Sequence, residues 1–136
     1  MSAGAGRWLG RALLAGSIVL SAVGQLGMKA GMQELHALAT QGVALTAASW
    51  SELTPAITWT AGGLTAYGLS LVCWLAVLVR YPLSYAYPLL GLAYVLVYVG
   101  ATHWPRLLEP SSALRTGGTL LILVGVVLVT VADRRR

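Results

Sequence analysis

The sequence predicts an all-α membrane protein: four transmembrane helices in one domain, expected to pair with a second chain in a dimeric bundle. Three observations lead there. Of the 136 residues, 57% are hydrophobic and 10% charged, and the mean hydropathy is +0.76. A soluble domain carries about 25% charged residues, so this chain lacks the polar surface to dissolve. Its apolar residues gather into four stretches, about 9–31, 57–79, 83–101 and 114–132, each near the roughly 20 residues that a helix needs to cross a hydrocarbon core of about 30 Å. The charges fall at the ends of these stretches.

The first stretch follows Arg7 and Arg11. It is longer than the core of a secretory signal and further apolar stretches follow, so it is read as a membrane helix. Ser17, Ser21, Gln25 and Lys29 recur every four residues along it, a slowly rotating polar stripe. Polar residues in membrane helices turn to the bundle interior or to a cavity. Lys29, the single lysine of the chain, stands about one turn from the expected end. Two readings stay open for it: snorkelling to the interface, or meeting a phosphate, with Gln25 one turn deeper offering hydrogen bonds.

A polar loop with Glu34, His36, Gln41 and Glu52 follows, long enough for a short interfacial helix. The second stretch presents Gly63, Tyr67, Ser70 and Trp74 on one face. Only Arg80-Tyr81-Pro82 separates it from the third, so the two form a tight antiparallel hairpin. The third presents Tyr87, Gly91, Tyr94 and Tyr98, and Pro88 removes one of its backbone hydrogen bonds. Two tyrosine faces beside small residues suit a groove for an amphipathic ligand; aromatic packing with satisfied hydroxyls is the plainer alternative. Pro105 and Pro110 mark the next loop. In the fourth stretch Gly118 and Gly125 lie seven apart on one face, where small residues let helices approach closely in lipid. They serve either a partner chain or packing within this one, and the pair Gly27 and Gly31 carries the same two readings.

The net charge of +5 does not point to nucleic acid, because the basic residues sit at segment ends, as topology signals and lipid-head contacts do. Six Lys and Arg fall on the side of both termini and Arg80, against Lys29, Arg106 and Arg115 on the other. Both termini are therefore expected in the cytoplasm. Trp8, Trp50, Trp59, Tyr81 and Trp104 lie near the expected interfaces. Cys73 is alone, so no internal disulfide forms. There is no Gly-rich phosphate loop, no metal-ligand pattern around His36 and His103, and no Ser-His-Asp or paired-carboxylate set. An enzyme is not expected, nor a cofactor or a metal. None of the four carboxylates falls inside an apolar stretch, which disfavours a proton-driven cation exporter and suits an anionic substrate. Transporters are often built from repeated halves around a shared site; four helices supply one half.

Four elements occur in order: Ser21-Ala-Val-Gly-Gln-Leu-Gly-Met-Lys29, Trp74-Leu-Ala-Val-Leu, Pro82-Leu-Ser-Tyr-Ala-Tyr-Pro-Leu-Leu90 and Gly118-Thr-Leu-Leu-Ile-Leu-Val-Gly-Val126. Together they resemble the small multidrug resistance-like branch of the drug/metabolite transporter superfamily, over nearly the whole chain. The Gly-Gln-x-x-x-Lys and Ala-Tyr-Pro-Leu-Leu elements, with Leu108-Glu-Pro, most resemble the small subunits of the aminoarabinose–undecaprenyl-phosphate flippase. The resemblance implies transfer of a polyprenyl-phosphate-linked aminosugar across a bacterial inner membrane, for lipid A modification and resistance to cationic peptides. It also implies subunits acting in pairs, as a homodimer or with a related small subunit. Ser21 stands where small multidrug exporters carry their coupling glutamate, and Leu90 where they carry a tryptophan, while Tyr87 matches a tyrosine of their site. The expected substrate-binding residues are Ser21, Gln25 and Lys29 for the head group, with Tyr67, Trp74, Tyr87 and Tyr94 as groove walls. An exporter of the small multidrug type and a non-transporting accessory subunit are the alternatives.

Overall fold

In the computed structural model, residues 3–42, 48–105, 107, 110 and 112–133 are described, and among them the chain forms four helices. These are α1 (Ala3–Thr40), α2 (Trp50–Leu78), α3 (Leu83–His103) and α4 (Ala113–Asp133). All four are long and apolar enough to cross a membrane. Arg106, Arg134 to Arg136 and the Leu108-Glu109 part of the family element lie outside the described residues, as do 43–47 of the first loop.

The expected interfacial helix is replaced by longer flanking helices. At 1.5 Å per residue, the 38 residues of α1 extend about 57 Å, well beyond a hydrocarbon core of about 30 Å. The extension takes up Glu34 and His36, while α2 begins early enough to hold Glu52 in its first turn. Polar residues do not stop a helix that has left the bilayer. The α2 start is set by Ser49, whose backbone N–H donates to the Glu52 carboxylate at 2.7 Å, satisfying a donor that the first turn leaves open. Glu34, Glu52 and Asp133 are all helical, and all three lie beyond the apolar stretches that the sequence defines.

α1 is the organising helix. α2 packs along it, α3 packs on it less extensively, and α2 and α3 barely touch each other. The α1–α2 seam is made of small residues. A Cβ added to Gly24 would lie 2.7 Å from the carbonyl oxygen of Gly63, and one on Gly27 would lie 3.0 Å from the Gly63 Cα. A Cβ on Gly31 would collide with Thr60. Gly27 and Gly31 thus serve packing within the chain. Without a hydrophobic drive between helices in lipid, close backbone approach supplies the attraction.

Two apolar clusters hold the three helices at different levels. Leu14, Ile18, Val77, Ala86 and Ala93 form one, near the tight α2–α3 turn. Leu26, Ala30, Ala101 and Leu107 form the other, flanked by Trp59 and Trp104, whose rings meet edge to face at 5.4 Å. α4 packs on α3 alone among the described elements. Gly91 admits Ile122 and Val126 there, and the Tyr98 and Thr116 hydroxyls lie 2.6 Å apart.

Candidate functional site

Because α2 and α3 both lean on α1 without closing on each other, a cleft of about 280 Å³ remains between them. Its floor is the α1 stripe: Ser17, Ser21 and Gln25. One wall is Tyr67, Ser70, Leu71 and Trp74 of α2; the other is Tyr87, Leu90, Ala93 and Tyr94 of α3. The cleft adjoins the first apolar cluster, sharing Ala93 with it, and Trp74 packs against that cluster. Its rim faces sideways: Tyr67, Leu71, Tyr87 and Tyr94 are all exposed on the outside of the bundle.

Six of the seven expected substrate residues meet in this cleft: Ser21, Gln25, Tyr67, Trp74, Tyr87 and Tyr94. Lys29 is not among its lining residues. A four-residue step overshoots a 3.6-residue turn by about 40°, so from Ser21 to Lys29 the stripe has turned by about 80°, away from the α2–α3 gap. The third-helix face divides for the same reason. Tyr87 and Tyr94, seven apart, border both the cleft and a hollow against α4, whereas Gly91 and Tyr98 meet α4 directly. On α2, Gly63 goes into the seam with Gly24, and Tyr67, Ser70 and Trp74 go to the cleft.

Ser17 and Ser70 belong to the site as fully as the residues singled out from sequence. Ser17 is 1% exposed and Ser70 5%, and each lines the cleft. Their spacing was the available signal: Ser17 begins the α1 stripe, and Ser70 lies between Tyr67 and Trp74 on one helix face. The Ser17 hydroxyl donates to the Leu14 carbonyl at 2.8 Å, and the Ser70 hydroxyl to the Tyr67 carbonyl at 2.6 Å. Gln25 donates through Nε2 to the Ser21 oxygen at 3.2 Å, which ties two floor residues together one turn apart. Leu71, Leu90 and Ala93 add apolar surface that no polar pattern could announce. Among the described residues, no carboxylate lines the cleft.

Gly118 and Gly125 lie on α4, and Gly125 is among the residues that line a hollow between α3 and α4. A Cβ added to either would meet no heavy atom within 4 Å, so neither serves close packing within the described residues.

The fold and the cleft together define a multi-pass membrane protein of the small four-helix class, with a polar hollow at the level of its apolar stretches. Curated relatives make the family specific. The chain is 42% identical over 118 residues to the probable 4-amino-4-deoxy-L-arabinose-phosphoundecaprenol flippase subunit ArnF of Shewanella sediminis, covering 83% of this chain and 81% of that protein. The protein of the same description from Serratia proteamaculans is 38% identical, over 85% of this chain and 87% of its own length. That from Aeromonas salmonicida is 42% identical, over 84% and 74%. The chain belongs to the ArnF family of flippase subunits. No family model matches it, and no solved structure matches it.

Proposed function

We propose that this chain is a subunit of a flippase that carries undecaprenyl-phosphate-linked 4-amino-4-deoxy-L-arabinose from the inner to the outer leaflet of a bacterial inner membrane, where the sugar serves lipid A modification. One observation carries the reading: a cleft with a polar floor lies between α2 and α3, and its lining residues Tyr67, Leu71, Tyr87 and Tyr94 are exposed at the surface of the bundle. A lipid-linked solute can reach such a site from the bilayer, with its polyprenyl tail left among lipid chains. The cleft lies nearer the Arg80 turn than the opposite end of the bundle. With both termini and Arg80 in the cytoplasm, as the distribution of Lys and Arg favours, it receives the head group from the inner leaflet.

Ser21, Gln25, Tyr67, Trp74, Tyr87 and Tyr94 receive the head group in this reading. Lys29, further along α1, meets the phosphate at the outer end of the path. The α4 face with Gly118 and Gly125 takes a second small subunit, a copy or a relative. The absence of a carboxylate from the cleft lining disfavours a proton-coupled cation exporter. The test is reconstitution of the purified chain, with any subunit that co-purifies, in vesicles carrying the aminosugar lipid in one leaflet. Its arrival in the other leaflet is followed with a membrane-impermeant amine-reactive reagent. Labelling faster than in protein-free vesicles is expected; an equal rate would refute transport.

A further inference from the structure

The hydrogen bonds on the cleft floor decide which part of a lipid-linked aminosugar that floor can hold. A serine hydroxyl has one hydrogen and two lone pairs. Ser17 and Ser70 have each committed that hydrogen to a backbone carbonyl of their own helix, so toward the cleft they act as acceptors. Gln25 has spent one N–H on Ser21, leaving its carbonyl oxygen and one N–H. Toward the cleft, Ser17 on the floor and Ser70 on the α2 wall therefore present accepting oxygens, while the donors, the Ser21 hydroxyl, the second Gln25 N–H, the Trp74 indole and the tyrosine hydroxyls, belong to other lining residues. Among the described residues, neither lysine nor arginine lines the cleft. A phosphate placed against Ser17 and Ser70 would meet two acceptors and no such cation, whereas anions bind where charged or multiple donors converge. An ammonium suits them better. It brings three donors and no acceptor, and the faces of the surrounding tyrosines attract cations.

From this we propose that the substrate enters sugar-first, its ammonium and ring hydroxyls donating to Ser17 and Ser70, with the phosphate held outside the floor. Ser17 and Ser70 are then specificity-determining residues that recognise the amine of the cargo. The inference rests on the transport reading above and names the part of the substrate that its cleft recognises.

The test compares three lipids on the purified protein in nanodiscs, with any subunit that co-purifies: undecaprenyl phosphate bearing the 4-amino sugar, the same lipid with a hydroxyl in place of the amine, and bare undecaprenyl phosphate. Hydrogen bonds to a charged group predict that the aminosugar lipid binds about tenfold tighter than the hydroxyl analogue. Ser17→Ala and Ser70→Ala should each shrink that preference and leave binding of the bare phosphate lipid unchanged. Bare phosphate lipid binding as tightly as the aminosugar lipid overturns the proposal, and the unaltered protein suffices to show it. So does an equal weakening of all three lipids in both variants. Amine-selective binding without transport in vesicles would uphold the inference and refute the flippase reading. Transport without amine selectivity would do the reverse.

Discussion

Gly24 and Gly63 lie against each other across the α1–α2 seam: a Cβ on Gly24 would sit 2.7 Å from the Gly63 carbonyl oxygen, and one on Gly63 would sit 2.6 Å from that of Gly24. Both neighbours are backbone, which cannot swing aside. The contact is one residue from Gln25 on α1 and four from Tyr67 on α2, so it sets the separation between the cleft floor and one wall.

Gly63→Ala is accordingly expected to destabilise the folded chain by about 1–3 kcal/mol, the usual range for overpacking, and to lower transport by displacing Tyr67. Its neighbour provides the control. A Cβ on Gly62 would meet nothing within 4 Å, so Gly62→Ala should leave both unchanged. Thermal unfolding in detergent of the two variants checks the contrast, and equal stability would show that the seam is looser than described.

Tyr98 and Thr116 provide a polar link between α3 and α4 at 2.6 Å. Polar pairs between membrane helices contribute about 0.6 kcal/mol on average. Tyr98→Phe and Thr116→Val should each weaken the fold modestly, and the double variant should lose less than their sum. A double-mutant cycle measured by steric trapping or denaturant unfolding reads the coupling. Strict additivity would mean that the pair contributes nothing.

Gly118→Leu and Gly125→Leu should leave the fold of the single chain intact, because a Cβ at either position meets no heavy atom within 4 Å and the hollow beside Gly125 has room for a larger side chain. Association with a second subunit should fall if that face is the interface, by roughly tenfold or more per bulky residue at a well-packed contact. Cross-linking yield in native membranes, compared with circular dichroism of the same variants, separates the two effects. Unaltered association would place the interface elsewhere.

Lys29→Met separates binding from movement. Lys29 does not line the cleft, so aminosugar-lipid binding there should be unaffected. Loss of a charge-assisted contact to the phosphate later on the path should slow translocation by about tenfold. Parallel binding and flux measurements decide: weakened binding would put Lys29 at the cleft after all, and unchanged flux would leave it an interfacial anchor.

Much of this protein was legible in its residues, because bilayer chemistry is strict. Four long apolar stretches can only be helices where no water pairs with the backbone, and charges settle at their ends. The tight turn at Arg80-Tyr81-Pro82 and the polar stripe from Ser17 through Gln25 follow from spacing alone, while the family resemblance rests on the residues of four motifs in order. Helix ends were less legible: α1 runs to Thr40 because hydropathy marks where a chain leaves lipid, which differs from where a helix stops. Only the tertiary structure decided how faces were shared. A single helix face spans enough of an arc to meet two neighbours, and sequence spacing does not say where one neighbour ends. Tyr87 and Tyr94 came to border both the cleft and the α4 side while Gly91 and Tyr98 met α4, and the drift of about 40° per four residues took Lys29 away from Ser21. The cleft itself exists because glycines draw α2 onto α1 while α3 packs on α1 and barely touches α2, a relation between helices that no single helix encodes.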